Sequence, residues 1–270
     1  MRNLLLQLLP ALCCVAASIS VSVQATTPSN LMNISAISIK VGAGVRPPFL
    51  ISNTKGMGPE LLAAINLIQD KFYFELVPTS INRRVQSVKD GWVDIVMWDN
   101  IHWGWQGMAM DVTYPLLNAK DIFITHTANS KEQQFFAELK GKRVCGVNGY
   151  HYKFLNFSTN ISTMKLDFEM TFVRTEVESI KMALHQRCDI SVVSTSALSW
   201  YMTQHNLDPA TLLLSDSYDT RYTRHFLVPV YAPISAAELN QIMKKANSLK
   251  LLEPIYKRYG QSFPQFNGAD

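Results

Sequence analysis

Cysteine is scarce: four residues in 270, of which Cys13 and Cys14 sit in the opening apolar segment. That excludes a small scaffold framed by disulfides. With no third ligand near Cys145 or Cys188, the remaining pair makes no zinc site. An excess of one charge is also missing, since 25 Lys and Arg stand against 21 Asp and Glu. The basic residues are scattered, as in Lys140-Gly141-Lys142-Arg143 and Lys257-Arg258, and form no stripe that would follow a nucleic acid. No Gly/Ser-rich run offers a floppy tether between domains. Ser-His-Asp order, HExxH and a phosphate-cradling loop are all absent, and "GAGVRP" falls short of a dinucleotide fingerprint. Neither a cofactor nor a metal ion is expected.

What is there describes an exported globular protein. The first 25 residues, "MRNLLLQLLPALCCVAASISVSVQA", have a basic start at Arg2, an apolar run and a small-residue end at Val23-Gln24-Ala25. That is the pattern of a secretory signal peptide cleaved after Ala25. A membrane anchor is the alternative, but the run is short and interrupted for a span of roughly 20 residues. A lipoprotein signal is the third option, against which Leu12 stands where a small residue belongs. The remaining chain, residues 26–270, is expected in the periplasm. At 47% hydrophobic and 17% charged, it can bury a sizeable core.

Strands and helices alternate along it. "AISIKVGAG" reads as a strand that ends at Arg46-Pro47-Pro48-Phe49, because proline cannot continue a central strand. In "PELLAAINLIQDKF", Pro59 suits a first helical turn, and Leu61, Leu62, Ile65 and Ile68 share one face. "YFELVP", the short helix "NRRVQSVKDG" and the strand "WVDIVMW" follow. The pattern restarts at "DIFITHTA". Next come a helix over "KEQQFFAELKG" and the strand "KRVCGVNGY". A helix around residues 177–186, the strand "CDISVVS" and the helix "SALSWYMTQHN" follow. The strand "YTRHFLVPV" leads to a long C-terminal helix with Pro254 as its point of interruption. The pattern predicts an α/β protein with two halves, each a mostly parallel sheet flanked by helices. Cys145 and Cys188 stand at the edges of two strand-like runs. If those strands are parallel neighbours a disulfide is reasonable; two buried thiols are the alternative.

In order and spacing, "RPPF", "KGMGPELLAAI", "RRVQSVKDGWVDIVM", "VTYPLL", "ELKGKRVCGVNGY", "ALHQRCDISVV" and "LLEPIYKRYG" resemble the bacterial extracellular solute-binding protein family 3. This is the amino-acid-type, type II periplasmic binding protein. The resemblance implies two lobes, residues 26–125 with 222–270 and residues 126–221, joined by two crossover strands. Hinges would lie near residues 123–125 and 222–226, with a small polar or amino-acid-like solute held in the cleft between the lobes. It also implies a monomer that serves an inner-membrane ABC permease. A sensor presenting its bound solute to a membrane receptor, or a dehydratase-like enzyme, remains open. An enzyme would need an acid or base, for which Glu60, Asp99 and His151 are candidates.

Typical members clamp the solute's carboxylate with the arginine of a Thr-x-x-Arg motif and receive its ammonium on an aspartate of the second lobe. Counted onto this chain, the threonine position falls on Trp103, the arginine on Gln106 and the aspartate on Ser194. Both charged partners are missing there. In their place the loop "VMWDNIHWGWQG" carries Trp98, Trp103 and Trp105, and loops at the carboxyl ends of strands are the usual ligand side of an α/β sheet. Candidate binding residues are therefore Phe49, Arg84, Trp98, Asp99, Asn100, Trp103, Trp105, Tyr150, His151, Ser194 and Thr195. Arg84 is the expected partner of an anionic group. Core packing for the tryptophans and local capping for Asp99 and Asn100 are the competing readings.

Overall fold

The computed structural model describes residues 36–160, 162 and 166–264; the signal segment expected over residues 1–25 lies outside the described residues. Strand β1 (Ile37–Gly44) buries Ile39, Val41 and Ala43 and pairs in parallel with β2 (Phe72–Thr79) and β3 (Ile95–Asp99). Between the first two strands, helix α1 (Met57–Asn66) sets Leu61, Leu62 and Ile65 against the sheet. Helix α2 (Arg84–Lys89) leads into β3. A short β4 (Met110–Val112) precedes β5 (Leu117–His126). Then follow β6 (Arg143–Val147), β7 (Glu169–Val173), α3 (Glu176–Leu184), β8 (Ile190–Ser194) and α4 (Thr195–His205). The chain returns through β9 (Leu212–Pro229) and ends in α5 (Ala236–Ser248) and α6 (Glu253–Arg258). Ser235 and Glu238 close a capping box at the start of α5, which satisfies two otherwise orphaned amides.

The strand order is β2-β1-β3-β9-β5-β8-β6-β7, with β4 on β9. β6 is parallel to β7 and β8, whereas β5 and β9 run antiparallel to each other and to their outer neighbours. The hydrogen-bonded path is continuous, yet the buried side chains separate into cores. One core takes Leu117 and Ala119 from β5 and Phe226 and Val228 from β9, together with α1, α5 and α6. Farther along the same two strands, Ile122 and Ile124 of β5 and Leu212 of β9 enter a core with α3 and α4. Two lobes therefore share one pair of crossing strands, the two-lobe α/β architecture the alternation predicts.

The elements differ from expectation in several places. Residues 131–141 form only a 3-10 turn at Gln133–Phe136, because the Gln133 side chain bonds the backbone of Leu214 and Asp216 and ties the segment to the edge of β9. β9 begins ten residues before "YTRHFLVPV". The C-terminal helix is interrupted before Pro254, as expected: it breaks between Ser248 and Glu253, with Lys250 at φ 58° and Pro254 in the first turn of α6. The cysteines are joined, with Cα atoms 5.9 Å apart. Cys145 is on β6, but Cys188 lies in the turn before the parallel strand β8 rather than on it.

Candidate functional site

The tryptophan loop starts from a break in the sheet. The register between β3 and β9 shifts between Met97 and Asp99, and Trp98 at that bulge has φ 62°. A bulge interrupts the alternation of side chains and re-aims the backbone. Here it turns the Trp98 carbonyl toward two guanidinium groups, Arg46 through Nη2 and Arg224 through Nη1 at 3.0 Å. The indole of Trp98 goes the other way, into the first lobe's core against Phe49 and Tyr256.

Arg46 and Arg224 line a narrow cavity. Strand ends and loops of the first lobe supply Gly44, Thr79, Ile81, Arg84, Asp99 and Trp103 to it, and the second lobe supplies Gly149, Tyr150 and His151. The crossing strands supply Asp121, Tyr222 and Arg224. Gly149, at φ +82°, lies against Asn82 of the facing lobe. A Cβ there would stand 2.2 Å from Asn82 Oδ1, so the lobes meet at this edge of the cavity.

Arg224 is 1% exposed. Its guanidinium lies over the rings of Phe49, Trp103 and Tyr222 at 5.2, 4.9 and 4.9 Å, and its Nη2 donates to the Tyr222 hydroxyl at 3.2 Å. Burial works against its charge, but Tyr222, Tyr150, Glu176 and Asp121 together outweigh it and hold the guanidinium above its usual range. Neither Arg46 nor Arg224 has an ion pair with a carboxylate among the described residues. The Nε of each, and Thr79 Oγ1 in the same cavity, are buried with no hydrogen-bond partner. Such orphaned donors are costly and mark where an acceptor belongs.

Two acids stand opposite. Tyr222 donates to Asp121 Oδ1 at 2.7 Å. Tyr150 donates to Glu176 Oε2 at 3.0 Å, and the Ser194 amide donates to Glu176 Oε1 at 2.7 Å. Burial first, and then the charge of Glu176, push the Asp121 carboxyl up to about 7. The folded chain therefore keeps this proton up to about pH 7, whereas the unfolded chain releases it near 3.8. Folded protein binds the extra proton in that window, so this residue's contribution to stability falls as pH rises through it. At pH 8 Asp121→Asn is expected to unfold at a higher temperature than wild type, and its melting temperature should vary less between about pH 4 and 7. Parallel curves for the two proteins would refute this.

Of the residues the sequence singled out, Arg84, Asp99, Trp103, Tyr150 and His151 meet in this cavity. Arg84 is not free for an anion: its Nε donates to Asp99 Oδ2 at 2.5 Å, and its other nitrogens donate to the carbonyls of Ile81 and Trp103. Phe49 lies in the core beneath both cavity arginines. Trp98 and Trp105 are each 1% exposed and packed in cores rather than in the cavity. Asn100 staples the loop, donating to the Thr223 carbonyl and accepting from the His102 amide. Ser194 is the buried N-cap of α4. Thr195 borders an adjoining open cleft with Asn100 and His102, which shares Trp103 and Tyr222 with the cavity. Gln106, at the family's clamp position, is exposed. Of the enzyme candidates, Glu60 accepts from Arg258 and Tyr259 away from the cavity.

Arg46, Asp121, Tyr222 and Arg224 were missed. For Arg224 a signal exists: period-two alternation in "YTRHFLV" puts Arg224 on the same face as Phe226 and Val228, an arginine on a buried face. Among the described residues no three His, Cys, Asp or Glu side chains come together to hold a metal ion.

No family model matches the chain, and no curated protein matches it. Solved structures do. The GluR0 ligand-binding core from Nostoc punctiforme, in complex with L-glutamate, is 16% identical over 82% of this chain and 98% of its own, with a TM-score of 0.66. An ancestral amino-acid-binding protein, a precursor of cyclohexadienyl dehydratase, is 16% identical over 83% of this chain and 96% of its own, with a TM-score of 0.64. The substrate-binding protein of an amino acid ABC transporter is 14% identical over 82% of this chain and 98% of its own, with a TM-score of 0.62. At these identities the likeness establishes the fold, that of two-lobe binding proteins.

Proposed function

We propose that this chain is an exported solute-binding protein that captures a small amino-acid-like solute between its lobes. The observation that carries the reading is the convergence on one cavity between the lobes of Arg46 and Arg224, two guanidinium groups with no carboxylate ion pair among the described residues. A guanidinium fork suits a carboxylate. Asp121, across the same cavity, suits an ammonium that would favour its ionised form. The charges of an amino acid are thus met from positions other than the usual ones: Arg46 and Arg224 replace the clamp missing at Gln106, and Asp121 replaces the acid missing at Ser194.

Amino-acid ligands and an ABC transporter in the names of the similar structures support capture of an amino-acid-like solute for a transporter; an inner-membrane permease as its partner, the periplasm as its place and a monomeric state belong to the same proposal. A sensor would use the same capture step. Catalysis is the less supported reading: Asp99 is held in an ion pair and Glu60 is engaged by Arg258 and Tyr259, which leaves His151 as the one of the three candidates that lines the cavity without an ion pair among the described residues.

A thermal-shift panel of L-amino acids and their deaminated acids tests the reading with the chain from residue 26 onward. Binding to the native state raises the melting temperature, and at least one carboxylate is expected to do so. A flat response across the panel would contradict it.

A further inference from the structure

One side of the cavity is built for more than a carboxylate and an ammonium. Trp103 of the first lobe and His151 of the second both line it, with ring planes 9° apart and centroids 6.4 Å apart. Parallel rings in contact sit about 3.5 Å apart. A centroid separation of 6.4 Å at that spacing takes a sideways slide of about 5 Å, which leaves much of the indole face uncovered. Trp103 is held firmly: Tyr222 meets it edge-on at 4.8 Å and the Arg224 guanidinium lies 4.9 Å from its centroid. Burial, and then the charge of Arg84, push the His151 imidazole below its usual range, so at neutral pH it presents an uncharged ring.

The geometry points to a slot for one flat conjugated group: the solute carries an aromatic or heteroaromatic ring between Trp103 and His151 while its carboxylate meets Arg46 and Arg224. This rests on the amino-acid-like reading above. Two stacked faces need about 7 Å, so from contact spacing a flat ring enters once the lobes part by about 3.5 Å. A puckered saturated ring is thicker and demands a wider opening still, farther from the approach of Gly149 to Asn82.

L-Phenylalanine and L-cyclohexylalanine share their charged groups and differ in the flatness of the ring. Isothermal titration of the chain from residue 26 onward is expected to show L-phenylalanine binding at least tenfold more tightly. Trp103→Leu and His151→Leu should each abolish that preference, while His151→Phe, which keeps a flat ring, should retain it. Should Trp103→Leu fail to fold, the two His151 variants decide. Equal or tighter binding of L-cyclohexylalanine, or a preference unchanged in His151→Leu, would overturn the slot. If aliphatic amino acids bind and L-phenylalanine does not, the slot fails while the carboxylate reading stands. If no amino acid and no deaminated acid binds, both fail.

Discussion

Asp99→Ala is expected to lower the unfolding free energy by about 3–5 kcal/mol, the cost of stranding one member of a buried ion pair. The pair is nearly shut off from water, with side-chain exposures of 12% for Arg84 and 4% for Asp99. Arg84 also donates to the carbonyls of Ile81 and Trp103, and Asp99 accepts from the Asn100 amide. Losing Asp99 therefore leaves a buried guanidinium uncompensated and frees the start of the tryptophan loop. The double variant Arg84→Met, Asp99→Leu removes both charges and should recover much of the loss. By contrast, Lys71→Ala breaks an exposed pair with Glu238, at 62% and 37% exposure, and should cost no more than about 1 kcal/mol. Urea unfolding at fixed pH measures all three. A loss below about 1 kcal/mol for Asp99→Ala would show that the ion pair does not hold the loop.

Arg224→Met is expected to weaken solute binding by about a hundredfold or more, the equivalent of about 3 kcal/mol for losing charge-assisted hydrogen bonds to a carboxylate. Methionine keeps an unbranched apolar stem against Phe49 and Trp103 but removes every donor. The Trp98 carbonyl and Tyr222 hydroxyl then each lose a donor, and Asp121 and Glu176 lose the positive charge between them. With that charge gone, the Asp121 carboxyl moves further up, because Arg224 now holds it down. Arg46→Met should act in the same direction on affinity, and more gently on stability because Arg46 is only partly buried. Titration of the best solute from the amino-acid panel distinguishes the cases. Affinity within threefold of wild type in both variants would remove the arginines from the binding account.

The first lobe was legible because its strands and helices carry their own periodicity. Ile39, Val41 and Ala43 alternate along β1, and Leu61, Leu62 and Ile65 mark the buried face of α1. The first half of β9, "LLLSDSYDTR", was not legible. After three leucines it turns polar from Ser215 to Arg221, and antiparallel pairing with β5 from His126↔Leu212 onward makes it a strand. The same tertiary pairing brings Tyr222 and Arg224 beside Asp121, so a site on crossing strands stayed hidden while one on a tryptophan-rich loop stood out. Trp98 was misplaced for a related reason. Counting along β3 cannot reveal the bulge with β9 that sends its indole into the core and its carbonyl toward the arginines. Trp103 lines the cavity because it follows β3 at the carboxyl end of the strand. Arg84 lines the cavity but is engaged by Asp99, a partner fifteen residues away that meets it only in the fold.

Arg46 and Arg224 are proposed to receive the solute's carboxylate in the cavity between the lobes. The most direct measurement is a pair of calorimetric titrations of the wild-type chain from residue 26 onward. One uses the tightest-binding amino acid of the panel, and the other its α-carboxamide, which has the same shape without the negative charge. The account predicts that the carboxamide binds at least a hundredfold more weakly, and that this gap shrinks to less than about tenfold in Arg224→Met as the charge-assisted bonds disappear. Equal affinities for acid and amide in the wild-type protein would contradict it.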